Sequence, residues 1–598
     1  MKKVILLIGI FSAFAMAQIG PQDEFLQESA RVFVTGKDLP AITIENILFD
    51  TQNRPVVVSS AGQFVFSGDS WRPNTKKIPI SLESIEPPSL AQGGKVFARV
   101  VYDGRIFIGA GKGLFVKDKN RNDWQRVLPG DSRYSWNPTG VKVLVVDSEN
   151  RLWFGADQGV GCLKQNDWQL FTGKEGLPYD HFTCAAAGSG GSVWFGTEKG
   201  VVRTNGSEFF YRFSRRWLAD DLVRDIAVDT DGNAWIATAN GVSKISFTPM
   251  TLEEKAARFN EQVETRHNRM GYICQNHLQE QFNVDSWQPA ISDNDGMYTA
   301  MYGASMAFRY AVTKDPEAKK LAVRSLKACK WLVDITHEKG FPARVIIPVD
   351  WPEPVNDIYN HEYNMRSQAG DPFWKDILPR FVLSKDKKYL WKCDTSSDEL
   401  AGHYFFYGVY YDLVAETEEE KAEVRQVVAD VTDHLVRNGF LLRDHDGKPT
   451  RWGDFSPEFM NSIWGWDQRG LNSMMMLSFL NVARHVTGDD KYEETAQMLR
   501  DKHQYHINAM QSKMFFPPLD VVPWDNNLCL MSMYGLFKYE QDPELLMMYR
   551  ESLDNAWLHI SLQKNAYWNM LYGALIQRFN KMVDDGVYES GKIFPEAG

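Results

Sequence analysis

Two hydrophobic periods run along the chain, and the switch between them divides it. Up to about residue 247, short apolar runs alternate with polar positions and are bounded by Asp, Asn and Gly, as at 147–150, 188–191 and 229–232. Such runs predict short strands joined by tight turns. They recur: Trp153, Trp194 and Trp235 stand 41 residues apart, each with a glycine six residues later, Gly159, Gly200 and Gly241. Phe107 with Gly113 and Val56 with Gly62 keep the same offset. Strand units repeating at this interval predict the blades of an all-β propeller, because one blade cannot bury its own face. Five units are visible, and a less regular one is expected near the start.

From Thr251 the period becomes helical. Amphipathic segments (252–270, 317–337, 418–437, 490–510 and 543–560) alternate with nearly apolar ones (297–312, 400–411, 471–482, 528–537 and 570–576). A helix apolar all round is buried on all sides. Five outer–inner pairs predict an all-α (α/α) toroid. The inner helices carry their polar residues at the N-terminal end: Ser292 to Gly296, Cys393 to Glu399, Trp464 to Arg469, Trp524 to Asn527, and Tyr567 to Asn569. If the inner helices run the same way, these ends share one mouth. The long segments 340–396, 439–466 and 511–526 then lie at that mouth with Trp351, Trp374, Trp391, Trp452, Phe515, Phe516 and Trp524. Long loops inside a domain are usually functional.

The repeats NRLWFGADQGV (150–160) and GSVWFGTEKGV (191–201), with GLP at 176–178, closely resemble the propeller repeats of two-component sensor ectodomains. That resemblance covers roughly 45–247 and implies fold rather than function. The second half resembles the (α/α) toroids of carbohydrate-active enzymes, both glycoside hydrolases and polysaccharide lyases. It does so by architecture and mouth composition, and no family residue is carried over.

The N-terminus bears on location. Two lysines, an apolar run and Ala15-Met16-Ala17 read as a secretory signal peptide over 1–17, followed by Gln18 rather than a lipid-accepting cysteine. The domains expected are thus the signal, a propeller over 18–247 and a toroid over 248–598, with a periplasmic or secreted product and no membrane span after cleavage. Net charge is −11 with both signs mixed, so no basic footprint for nucleic acid is visible. Six cysteines make no disulfide scaffold. Cys162 and Cys184 either pair or stay thiols. No Cys/His metal spacing is visible, and no metal or cofactor is expected. Oligomeric state is left open.

For chemistry, the mouth offers acids. Glycoside hydrolysis needs one carboxylic acid to protonate the leaving oxygen and one carboxylate opposite it. Asp398 and Glu399 are expected to hold one half of that pair and Asp295 the other, with His403 four residues past Glu399 on the same helix face. Asp293, Tyr404, Arg451, Trp464, Asp467, Arg469, Trp524 and Asp525 are expected to bind a carbohydrate, with Arg451, Arg469 and His403 suited to a substrate carboxylate. The competing reading is capping: Ser396-x-x-Glu399 fits a capping box, and Asp293 or Asp295 fits an N-cap. A uronate lyase using a Tyr/His pair at 360–363 or 403–404, and a non-catalytic glycan-binding or sensory protein, are the alternatives in function.

Overall fold

In the computed structural model, residues 22–79, 95–118, 123–512, 522–563 and 565–582 are described. Residues 1–17, expected from sequence to be a signal peptide, and Phe515 and Phe516 lie outside them. The chain forms two compact units, one within Met1–Phe259 with Glu280–Val284 and one within Asn260–Gln279 with Asp285–Gly598. No helix among the described residues is long and apolar enough to cross a membrane.

The first unit is built of four-stranded antiparallel sheets in the blade pattern. Four of them are continuous in sequence, over 44–73, 96–127, 143–171 and 182–212. The fifth is composite. Strand β1 (Phe25–Val34) pairs with β2 (Gly241–Met250) from Phe25 opposite Met250 to Val34 opposite Gly241, completing the sheet of strands 223–228 and 234–238. The start of the chain therefore finishes the last sheet, and no separate irregular unit stands there among the described residues.

The repeat has a local cause. Asp147 accepts the backbone N–H groups of Glu149 and Arg151 at 2.9 and 3.0 Å, Arg151 Nε at 2.6 Å and the Trp153 indole N–H at 2.7 Å. Asp229 does the same for Asp231, Asn233 and the Trp235 indole. One carboxylate thus shapes the turn and locks the tryptophan that follows. The recurring glycine opens the next strand with positive φ, 134° at Gly159 and 114° at Gly200, where a Cβ would strike the neighbouring strand's carbonyl at Phe171 or Arg212. Only glycine tolerates both demands.

Helix α1 (Leu252–Gln262) is followed in the second unit by α2 (Asp295–Thr313), α3 (Pro316–Asp334), α4 (Ser397–Leu413), α5 (Glu418–Arg437), α6 (Arg469–Thr487), α7 (Lys491–His503), α8 (Pro523–Tyr539), α9 (Pro543–Ile560) and α10 (Ala566–Met582). The boundary between the units falls inside α1. Buried and amphipathic helices alternate as the pattern predicts. Every residue of α4 from Asp398 to Tyr410 is buried. α4 packs on α2, α6 and α8, and α8 also on α10.

Three expectations change. The helix expected over 252–270 ends at Gln262 in a π turn, and strands at Asn268–Arg269 and Tyr272–Ile273 follow. α2 leaves the interior, with Val312 86% exposed. α10 buries one face only, through Leu571, Tyr572, Leu575, Ile576 and Phe579, while Met570 is exposed. All six cysteines are free thiols, so Cys162 and Cys184 do not pair.

The carboxylate-centred turn gives a stability prediction. Asp147→Ala strands Arg151 and the Trp153 indole, and the first unit should lose ~3–5 kcal/mol, as for other broken buried ion pairs. Exposed Asp231→Ala should cost less than about 0.5 kcal/mol. Thermal melts of the two variants check the contrast.

Candidate functional site

A cleft of about 400 Å³ opens at the N-terminal ends of three buried helices of the second unit. Asp398 reaches it from the first turn of α4, Asp467 from the turn before α6, and Trp524 and Asp525 from the first turn of α8. Arg344, Ser396, Ser397, Trp452, Gln468, Leu471 and Leu528 complete the wall. Trp452 and Trp524 are 41% and 40% exposed.

The helix starts are not capped as the sequence suggested. Neither Ser396 before α4 nor Asn294 before α2 makes a side-chain cap bond. Arg344, a donor only and so no cap itself, instead holds the segments that lead into these helices. Its Nε donates to the Asp293 carbonyl at 2.7 Å, Nη1 to the Asp394 carbonyl at 3.0 Å, and Nη2 to Asn294 Oδ1 and Ser396 Oγ at 3.2 and 3.0 Å. One guanidinium thus ties together the starts of α2 and α4. All these acceptors are neutral, so its positive charge remains to act on nearby acids. Burial pushes the Asp398 carboxyl up, and Arg344 opposes this without cancelling it. Burial also raises Asp293, yet Arg344 and Lys392 outweigh it, and this half-exposed carboxylate paired with Lys392 sits below the usual range.

The other predicted residues lie elsewhere. Asp295 is fully buried in an ion pair with Arg269 and accepts Ser292 Oγ at 2.6 Å. That pair fastens α2 to the segment before it, and Asp295 does not line the cleft. Glu399 and His403 are fully buried beneath the cleft, between α2 and α4. Glu399 Oε2 and His403 Nε2 lie 3.7 Å apart, neither atom has a partner, and a Cβ on Gly296 would strike both side chains. Burial, then the Asp398 charge, lifts Glu399 well above the ordinary glutamate value, and burial lowers His403 to about 4. His403 Nδ1 lies 3.3 Å from the Tyr407 hydroxyl.

Tyr404 is core: its hydroxyl meets Thr432 Oγ1 at 2.7 Å and its ring stacks on Phe479. Arg451 is held by Asp371 through Nε at 2.7 Å and Nη2 at 3.0 Å, with its guanidinium 3.8 Å from the Trp452 ring centroid. Arg469 donates to the Met460 and Ser462 carbonyls. Trp464 is 69% exposed on the turn Ile463–Gly465, outside the cleft wall. Of the predicted residues, then, Asp398, Asp467, Trp524 and Asp525 come together. The residue missed is Arg344, a lone arginine after Phe341-Pro342-Ala343 with no pattern to single it out.

No family model and no curated protein matches the chain. Among solved structures it is similar to the extracellular domain of a hybrid two component system from B. thetaiotaomicron, at 12% identity over 36% of this chain and 40% of that one, TM-score 0.29. A second such domain from the same organism matches at 14% identity over 42% and 39%, TM-score 0.20. A gluconolactonase from Xanthomonas campestris matches at 13% identity over 34% and 71%, TM-score 0.20. The chain spans about two fifths of the length of the two extracellular-domain chains.

The buried Glu399 and His403 set a pH dependence. Between the ordinary glutamate pKa, ~4.3, and the raised value in the fold, the folded chain holds a proton that the unfolded chain releases. Stability therefore falls as pH rises through that window. His403 acts oppositely, adding stability as pH rises from about 4 to 6.5. Glu399→Gln, neutral at every pH, should flatten the decline in melting temperature on the alkaline side. Melts of wild type and variant across pH check it, and parallel curves would mean that Glu399 is ionised in the fold.

Proposed function

We propose that the cleft at the starts of α4, α6 and α8 hydrolyses a glycosidic bond. The observation that carries this reading is the convergence of Asp398, Asp467 and Asp525 with two partly exposed tryptophans in one cavity. Asp398, whose carboxyl burial pushes up, is the general acid. Asp467 or Asp525, from across the cavity, is the carboxylate that activates water or attacks. Trp452 and Trp524 are the platforms for sugar rings. Arg344 in the wall favours an acidic sugar. The alternating helices are, on this reading, an (α/α) toroid, and the chain is exported to the periplasm or beyond to act on an oligo- or polysaccharide.

Hydrolysis is favoured over β-elimination by the position of the Tyr/His candidates. His403 and Tyr404 are in the core, and neither they nor residues 360–363 line the cleft. A non-catalytic glycan-binding protein would use the same tryptophans without turnover.

The test is release of reducing ends from a panel of neutral and uronate-containing polysaccharides. Asp398→Asn should cut the initial rate ~10²–10⁴-fold, the range for losing a general acid or base, while melting near wild type. Asp467→Asn or Asp525→Asn should do the same for the second carboxylate. An unsaturated product would mean a lyase. Binding without turnover would leave the cleft as a receptor.

A further inference from the structure

Outside the cleft, a second group of reactive side chains converges. Cys393 follows β3 (Tyr389–Lys392), and Asp444 with His445 occupies the turn between β4 (Leu441–Arg443) and β5 (Pro449–Asp454). A thiol sulfur, a carboxylate oxygen and an imidazole nitrogen, one from each, all lie within 4.8 Å of one another. Cys393 and Asp444 are fully buried, and His445 Nε2 is a buried atom with no hydrogen-bond partner. An orphaned buried ring nitrogen needs an explanation.

We infer that Cys393, Asp444 and His445 bind a single zinc ion. Sulfur, nitrogen and oxygen donors together suit zinc, whose tetrahedral bonds of about 2.0–2.3 Å require donors somewhat closer than 4.8 Å. Side-chain rotation over that short distance closes the site. The three residues leave a fourth position open for a water or for the second Asp444 oxygen. On binding, the Cys393 S–H bond breaks, its proton leaves to solvent, and the sulfur lone pair forms the bond to zinc; no electron is transferred.

The surroundings fit this charge change. Asp444 already has its outer partners: its Oδ2 accepts the Asp394 N–H at 2.7 Å and its Oδ1 the His445 N–H at 2.7 Å. Such second contacts orient a ligand and leave it free lone pairs. Lys375 Nζ is 3.6 Å from Asp444, but it is engaged at 2.9 Å by Asp446 and at 3.3 Å by the Lys448 carbonyl. It is therefore not dedicated to Asp444. Zinc here would bind the turn between β4 and β5 to the strand that leads into Asp398.

The experiment uses the full chain and the metal alone. Protein loaded with zinc and dialysed should retain one equivalent by elemental analysis. Cobalt in its place should give a thiolate-to-metal charge-transfer band. Cys393→Ser should abolish that band, and His445→Gln should weaken zinc by more than about 100-fold, beyond the loss of an outer partner. Circular dichroism confirms that the variants fold. If a variant fails to fold, proton release on adding zinc to wild type, one per chain, reads the same step. The proposal is overturned if wild type retains no stoichiometric zinc, if cobalt binds without a thiolate band, or if the folded variants hold zinc as wild type does.

Discussion

The second unit depends on how Asp394 is held. It is buried, has φ of 61° and lies four residues before Asp398. A left-handed backbone at a non-glycine residue costs of order 1–3 kcal/mol and persists only where the surroundings over-determine it. Here they do. Arg380, itself buried, donates to Asp394 Oδ2 at 3.0 Å, the Arg451 N–H donates to Oδ1 at 2.9 Å, and the Asp394 N–H donates to Asp444 at 2.7 Å. The Arg380 guanidinium is fixed in turn by Asn364 and the Lys375 carbonyl. The chain is thereby turned sharply just before α4, and that turn aims Asp398 into the cleft. The acid at the mouth of α4 is placed by side chains from segments distant in sequence, not by its own helix.

This explains a division of labour among the acids. Those with a cation or several N–H donors, such as Asp394, Asp295 and Asp371, hold segments together and are spent on that task. Asp398 has no ion-pair partner among the described residues: it accepts the Glu399 N–H at 3.1 Å and feels the field of Arg344, and burial still pushes its carboxyl up. A buried pair is costly to break, and a carboxyl for proton transfer must not be so committed.

The first unit was legible because its signals are local. The Asp-to-Trp offset, the glycine six residues on and the alternation all act within one hairpin, so spacing alone exposes them. The pairing of β1 with β2 was not legible, since nothing in 25–34 names a partner two hundred residues away. The same distinction governs the site. Helix starts rich in acids could be found from composition, and Asp398, Asp467 and Asp525 do meet. Which acid faces the cavity could not be read, because Asp398 and Glu399 are adjacent and a rotation of 100° per residue sends one to the cleft and the other to the core. Arg451 and Arg469 looked available for a substrate because their partners, Asp371 and the 460–462 carbonyls, carry no sequence signature.

The joining of β1 to β2 has a consequence for the order of assembly. Every other sheet of the first unit can form as soon as its own thirty or so residues are present. The composite sheet requires the tenth residue of one strand to find a partner whose synthesis lies far ahead. The closure entropy of so long a loop grows only logarithmically, by ~0.6 kcal/mol per doubling, so equilibrium stability suffers little. The rate is another matter, because distant strand pairing is intrinsically slow. Until residue 250 is available, strand 234–238 and the waiting β1 present unpaired edges that the completed sheet closes, the feature most prone to pairing with another chain. The seam is thus the last part of the unit to be secured and its natural point of vulnerability to aggregation during biogenesis.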